Sequence, residues 1–179
     1  MDPGLGDGGR LFFAAVPDFD SATKMYRLAG ILQRAHRFGR EPIVPERLHV
    51  SLLFLGRWSE QVARDARGAV ASVKMAPFEV SFDRTASFRS GPGNRALVLL
   101  GDETSSRLKS LGHLLGAAIA EKGMRRRAVR DFTPHVTLLY GERAIDEYPV
   151  EPIRWTVNEF VLIHSLQGHA HLARWRFDV

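Results

Sequence analysis

Apolar positions along the chain follow two different periods. Leu11-Phe12-Phe13-Ala14-Ala15-Val16, entered from Arg10 and closed by Pro17, is a continuous apolar run of strand length. Beyond it Ala22, Met25, Leu28, Ala29, Leu32 and Ala35 recur at helical spacing, which predicts a helix to about His36, started by Asp18 or Ser21 and packed across a sheet. A connection from Glu41 to Pro45 leads to a second strand, Leu48 to Phe54, left through Gly56-Arg57-Trp58. Ser59 is placed to cap a second helix that buries Val62, Ala66, Ala69, Val70 and Val73. Phe78 to Phe82 alternates as a half-exposed strand does, and Ser90-Gly91-Pro92-Gly93-Asn94 is a turn.

The order then repeats. Arg95 to Leu100 is an apolar strand, and Thr104 is placed to cap a helix with Leu108, Leu111, Leu115, Ala118 and Ile119 on one face. Pro134-His135-Val136-Thr137-Leu138-Leu139-Tyr140 comes next as a near copy of Leu48-His49-Val50-Ser51-Leu52-Leu53-Phe54, 86 positions later. Two copies of strand, helix and motif strand indicate pseudo-twofold symmetry rather than a solenoid, which needs at least about three repeats. Phe160 to His164 and Leu172 to Phe177 read as closing strands. The expected class is α+β, with mainly antiparallel sheets carrying helices on one side, in one domain over residues 10–179. Residues 1–9, rich in glycine, are expected to be a flexible N-terminus.

Composition narrows the chemistry. With no cysteine, disulfides, thiolate metal clusters and a thiol nucleophile are excluded, in keeping with a reducing cytoplasm. The N-terminus lacks the basic start and apolar core of a signal peptide, and no run is long enough to span a membrane, so a cytoplasmic protein with no membrane partner is expected. The formal charge is +5, and Arg125, Arg126, Arg127 and Arg130 just ahead of the second motif form either a basic rim for a polyanion or a solvated loop.

Within each motif strand, side chains two apart share a face, so His49 projects with Ser51 and His135 with Thr137, while Val50, Leu52, Val136 and Leu138 point the other way. If the two strands run side by side, two imidazoles face one site, each with a hydroxyl. One neutral histidine can take a proton from water while the other, protonated, delivers one to a departing alkoxide, and the hydroxyls can donate to non-bridging phosphate oxygens. This chemistry needs neither metal nor cofactor. A single H-x-[ST] on an apolar strand is more often a core histidine; the matched pair is the signal. His169 and His171 share a strand face, but without cysteine or a nearby acidic partner they read as exposed strand or turn residues, and His36, His113 and His164 as packing or surface groups.

These residues resemble the two-histidine (2H) phosphoesterases, most closely the RNA 2′,3′-cyclic phosphodiesterase branch, also called 2′-5′ RNA ligases. Arg10 to Ala14 is similar to that family's opening strand, His49 to Gly56 to its first H-x-[ST]-L-x-x-L-G motif, and Arg130 to Leu138 to its second. The resemblance implies a bilobal fold, two pseudo-twofold-related lobes with the active-site cleft between them, and hydrolysis of a 2′,3′-cyclic phosphate of RNA or a nucleotide to a 2′-phosphate; a monomer is expected. It also implies His135 activating water and His49 protonating the departing 3′ oxygen, or the reverse. Where the branch commonly carries arginine this chain has Tyr140, a candidate substrate contact, although strict alternation puts it on the face opposite His135 as sheet packing. Arg130 or Arg143 is available as the missing cation. Phe12 is either a base-stacking ring or core. The alternatives are a hydrolase of 2′-5′ linked or other cyclic nucleotide phosphates, and a non-catalytic RNA-binding module.

Overall fold

The computed structural model describes residues 8–124 and 131–178. Among them, eight strands form one sheet: β1 (Arg10–Ala15), β2 (Val50–Arg57), β3 (Phe78–Arg89), β4 (Arg95–Gly101), β5 (His135–Gly141), β6 (Tyr148–Val157), β7 (Glu159–Ser165) and β8 (His169–Arg176). Their order is β6-β3-β4-β5-β2-β1-β7-β8, and every neighbouring pair is antiparallel. The two expected lobes are therefore the two four-stranded halves of a single sheet, and the motif strands β2 and β5 are the joint. That joint is narrow, with Val50 opposite Val136 as its paired position.

Three helices cover one face: α1 (Phe19–His36), α2 (Glu60–Val70) and α3 (Ser106–Glu121). Asp18 caps α1, its carboxylate accepting from the Ser21 N–H at 2.8 Å, and Ser59 caps α2. The helices are exchanged between halves: α1, which follows β1, lies on β5 and β6, and α3, which follows β4, lies on β2. Ser21 fixes this crossing by donating to the Arg154 carbonyl of β6 at 3.0 Å. The apolar stripes of all three helices thus enter one core containing Phe13, Met25, Leu52, Ala66, Phe82, Leu111 and Leu138. Two smaller apolar clusters, Phe12, Ala14, Val161 and Ile163 in one half and Ala86, Ala96, Val98 and Leu100 in the other, are separate from that core.

Several sequence expectations shift. Ala35 is exposed rather than part of the buried stripe of α1, and α2 buries Ala63 while Val62 and Val73 are half-buried. Thr104 does not cap α3; the Asp102 carboxylate accepts from the Thr104 N–H at 2.8 Å at the start of a short 3-10 turn, and the Thr104 hydroxyl accepts from the Ser81 N–H. β6 has no counterpart among the strands expected from periodicity. Pro149 and Pro152 disguise it, and they are tolerated because β6 is an edge strand where no second neighbour needs its N–H groups.

Close approach of helix and sheet rests on Gly112 of α3. A Cβ there would meet the Leu52 carbonyl oxygen at 3.0 Å and the Phe132 ring at 2.8 Å. The oxygen belongs to a motif strand and cannot move without it. Gly112→Ala is therefore expected to lower stability by about 1–3 kcal/mol from overpacking. This outweighs the roughly 1 kcal/mol that alanine gains in a helix interior. The shift of the urea midpoint checks it, and an unchanged or raised midpoint would contradict the close approach.

Candidate active site

The strands of the joint do not alternate strictly. Ala14 pairs with Ser51 and Phe13 with Leu53, so Leu52 is an extra residue in β2; Val98 pairs with Thr137 and Leu97 with Leu139, so Leu138 is its equivalent in β5. A bulge of this kind lets two successive side chains enter the core and turns the next residues of the strand onto the other face. Leu52, Leu53, Leu138 and Leu139 are all buried, and Phe54 and Tyr140 come round to the side of the histidines. Tyr140 is thus not the sheet-packing residue that alternation suggests: it is 38% exposed and lines the same cleft as His135.

That cleft, with a volume of about 590 Å³, brings together His49, Ser51, His135, Thr137, Phe54 and Tyr140. Because the strands run antiparallel through the Val50–Val136 pair, His49 and His135, each one residue before it, enter the cleft from opposite ends of that pair, each with its own hydroxyl two residues on.

The rings are held alike. His49 Nδ1 lies 2.8 Å from the Arg47 carbonyl and His135 Nδ1 lies 2.8 Å from the Thr133 carbonyl, in each case two residues back. A carbonyl only accepts, so each Nδ1 carries hydrogen and donates; in the neutral ring Nε2 is left as the proton-accepting atom. Phe12 lies against His49 with centroids 5.1 Å apart, and Phe88 meets His135 edge-on at 5.0 Å. Phe12 is therefore a wall of the site.

The model of the 2′-5′ RNA ligase superfamily matches residues 22–169, most of the chain and both motif strands. The chain belongs to this superfamily. A curated relative, the RNA 2′,3′-cyclic phosphodiesterase of Archaeoglobus fulgidus, is 30% identical over 100 residues. The match covers 56% of this chain and 55% of that protein, so the chain spans about half the length of the curated relative it matches. The crystal structure of E. coli LigT complexed with 3′-AMP superposes with a TM-score of 0.76 at 26% identity, over 96% of this chain and 99% of LigT. TT0787 of Thermus thermophilus shares the fold, with a TM-score of 0.73 at 21% identity over 94% of this chain and 97% of that one.

In this superfamily member the cleft also holds groups that the motifs do not mark. Arg10, the first residue of β1, and Arg47, in the turn before β2, line it. Arg47 stands two residues before the first motif histidine, and that position is its one signal in the sequence. The candidate cation Arg143 lines a different hollow, with His36 and Arg37, and Arg130 lies outside the described residues, as do Arg125, Arg126 and Arg127. Gly8 and Gly9 are tied to the fold: the Gly8 carbonyl lies 2.6 Å from His164 Nε2, and the Gly9 carbonyl accepts from the Trp58 N–H at 3.0 Å. Gly9 lines the cleft with φ +71°, and a Cβ there would collide with the Ser165 carbonyl.

His169 corrects an expectation. Rather than an exposed strand or turn residue, it lines the cleft and meets the His49 ring edge-on with centroids 5.0 Å apart. Burial disfavours its charged form, and neighbouring His49, Arg47 and His171 add to this, lowering its pKa to about 4. His49 is also lowered from the ordinary imidazole value: burial dominates over the raising effect of its hydrogen bond to the Arg47 carbonyl, and His135, Arg47 and His171 add smaller lowering contributions. Among the described residues no group of three or more His, Asp or Glu is arranged to hold a metal ion.

Proposed function

We propose that the cleft hydrolyses 2′,3′-cyclic phosphate ends of RNA or nucleotides to 2′-phosphates, with His49 and His135 as the acid/base pair. The observation that carries this reading is the antiparallel joining of two H-x-[ST] strands, which gathers both imidazoles and both hydroxyls in one cleft. The name of the archaeal relative and the 3′-AMP bound by LigT support the substrate class. A water oxygen bonds to phosphorus as one neutral Nε2 takes its proton. The bond from phosphorus to the 3′ oxygen breaks as the other imidazolium gives its proton to that oxygen. Ser51 and Thr137 donate to the non-bridging oxygens, where charge builds up in the transition state.

The test is turnover of a nucleoside 2′,3′-cyclic phosphate in excess chelator, followed across pH. A bell-shaped profile is expected, because one ring must be neutral and the other charged. Burial lowers the pKa of His49, so the loss of activity on the acid side, where both rings become protonated, falls below the ordinary imidazole range. Turnover lost in chelator, or a flat profile over about pH 5–8 with chemistry rate-limiting, would overturn the reading.

Phe54 and Tyr140 favour a second substrate. On antiparallel strands they lie towards opposite ends of the histidine pair, 57% and 38% exposed, as two platforms on which bases can stack. A 2′-5′ linked dinucleotide carries a base on each side of its phosphate, and product analysis with both substrates separates the two readings.

A further inference from the structure

The pseudo-twofold relation between the two catalytic histidines breaks at His169. His135 has one ring neighbour among the described residues, Phe88. His49 has two, and the three rings close on one another: Phe12 to His49 at 5.1 Å, His49 to His169 at 5.0 Å, and Phe12 to His169 at 5.8 Å, the last two edge-on. Phe12 comes from β1, whereas His169 opens β8, three strands from β2 in the sheet order, and is paired with Ser165 at the turn between β7 and β8.

The Nδ1 atom of His169 is buried with no hydrogen-bond partner. An orphaned N–H there is costlier than an orphaned lone pair, so the neutral ring carries its hydrogen on Nε2. Protonation would bury a second N–H beside Arg47, His49 and His171, so at neutral pH the ring is uncharged. An uncharged ring packed on His49 removes water from it and adds no charge of its own.

We propose that His169 is a positioning residue: it clamps the His49 ring against Phe12, shields that ring from water, and so fixes the direction in which His49 Nε2 meets the phosphate. The catalytic consequence rests on the acid/base reading above; the clamp itself does not. The groups that act on the charge of the clamped ring are Arg47 from the turn before β2, His135 from β5, and His169 and His171 from β8, and Arg10 of β1 and Tyr140 of β5 line the same cleft. His171 in turn is set by burial, Arg174 and Glu159. Loss of the clamp admits water to His49 and stabilises its charged form, so its pKa rises.

The test uses the full chain with His169→Ala and His169→Phe, reading the His49 ring by NMR titration and hydrolysis of a nucleoside 2′,3′-cyclic phosphate by kinetics. In His169→Ala the His49 midpoint is expected to move up in pH, and the acid side of the kcat/KM profile to move up with it. At neutral pH kcat falls about tenfold because the aim of the ring is lost, and KM stays within about twofold. His169→Phe keeps an uncharged edge-on ring and is expected to restore both midpoint and kcat. An unchanged His49 midpoint in His169→Ala overturns the proposal. So does a His169→Phe variant as impaired as alanine with a raised KM, since His169 would then contact the substrate itself. A shifted midpoint in a wild-type-folded protein that turns over no cyclic phosphate supports the clamp and removes the phosphodiesterase reading.

Discussion

Replacing His49 or His135 with alanine is expected to lower kcat for 2′,3′-cyclic phosphate hydrolysis by about 10²–10⁴-fold each, the range supplied by a positioned general acid or base. Both residues are only partly buried at the rim of the joint, and neither belongs to the main core, so the folded state should survive. The neighbours Val50 and Val136 carry the packing, and both are fully buried. In the proposed mechanism water attack and departure of the 3′ oxygen share one transition state, so the rings would act as a unit. The double variant should be little worse than either single one, as for other coupled catalytic groups. Single-turnover kinetics with unchanged thermal melting would establish this. Unchanged turnover in both single variants would show that the chemistry lies elsewhere.

The largest stability effect is expected at Phe13. Its ring is wholly buried in β1 and meets Phe160 of β7 and Trp175 of β8 edge-on, each at 5.8 Å. Phe160 and Trp175 themselves stack at 5.0 Å. Phe13→Ala removes the shared member of this cluster and leaves a cavity between strands whose backbone ladders prevent collapse. The expected loss is about 3–5 kcal/mol. For a domain of this size that is a fall in melting temperature on the order of 10 °C. Because β8 also carries His169, the variant should lose cleft geometry as well as stability. A change of under about 1 kcal/mol would mean that the cluster repacks and is not the anchor of that half.

Much of this organisation was legible along the chain. The apolar run of β1, the stripe of α1 and the repeat at β4, α3 and β5 follow from local periodicity, which backbone geometry imposes wherever one face is buried. The matched His and hydroxyl positions mark His49, Ser51, His135 and Thr137, and all four line the cleft. β6 escaped because two prolines mimic a loop, and only its place at the sheet edge makes them harmless. Strict alternation puts Tyr140 on the face opposite His135, and the bulge at Leu138 that turns it into the cleft is a property of the pairing with β4, not of the residues in β5 alone.

The sequence by itself thus determined the two halves, their strand and helix order and the four residues at their joint, because period and duplication are local properties. Tertiary structure alone decided that the halves share one sheet and exchange helices, that the two bulges turn Phe54 and Tyr140 into the cleft, and that His169 closes on His49 from a strand more than a hundred residues away. Those features depend on register and on contacts between segments distant in the chain, and no local pattern of apolar and polar residues encodes them.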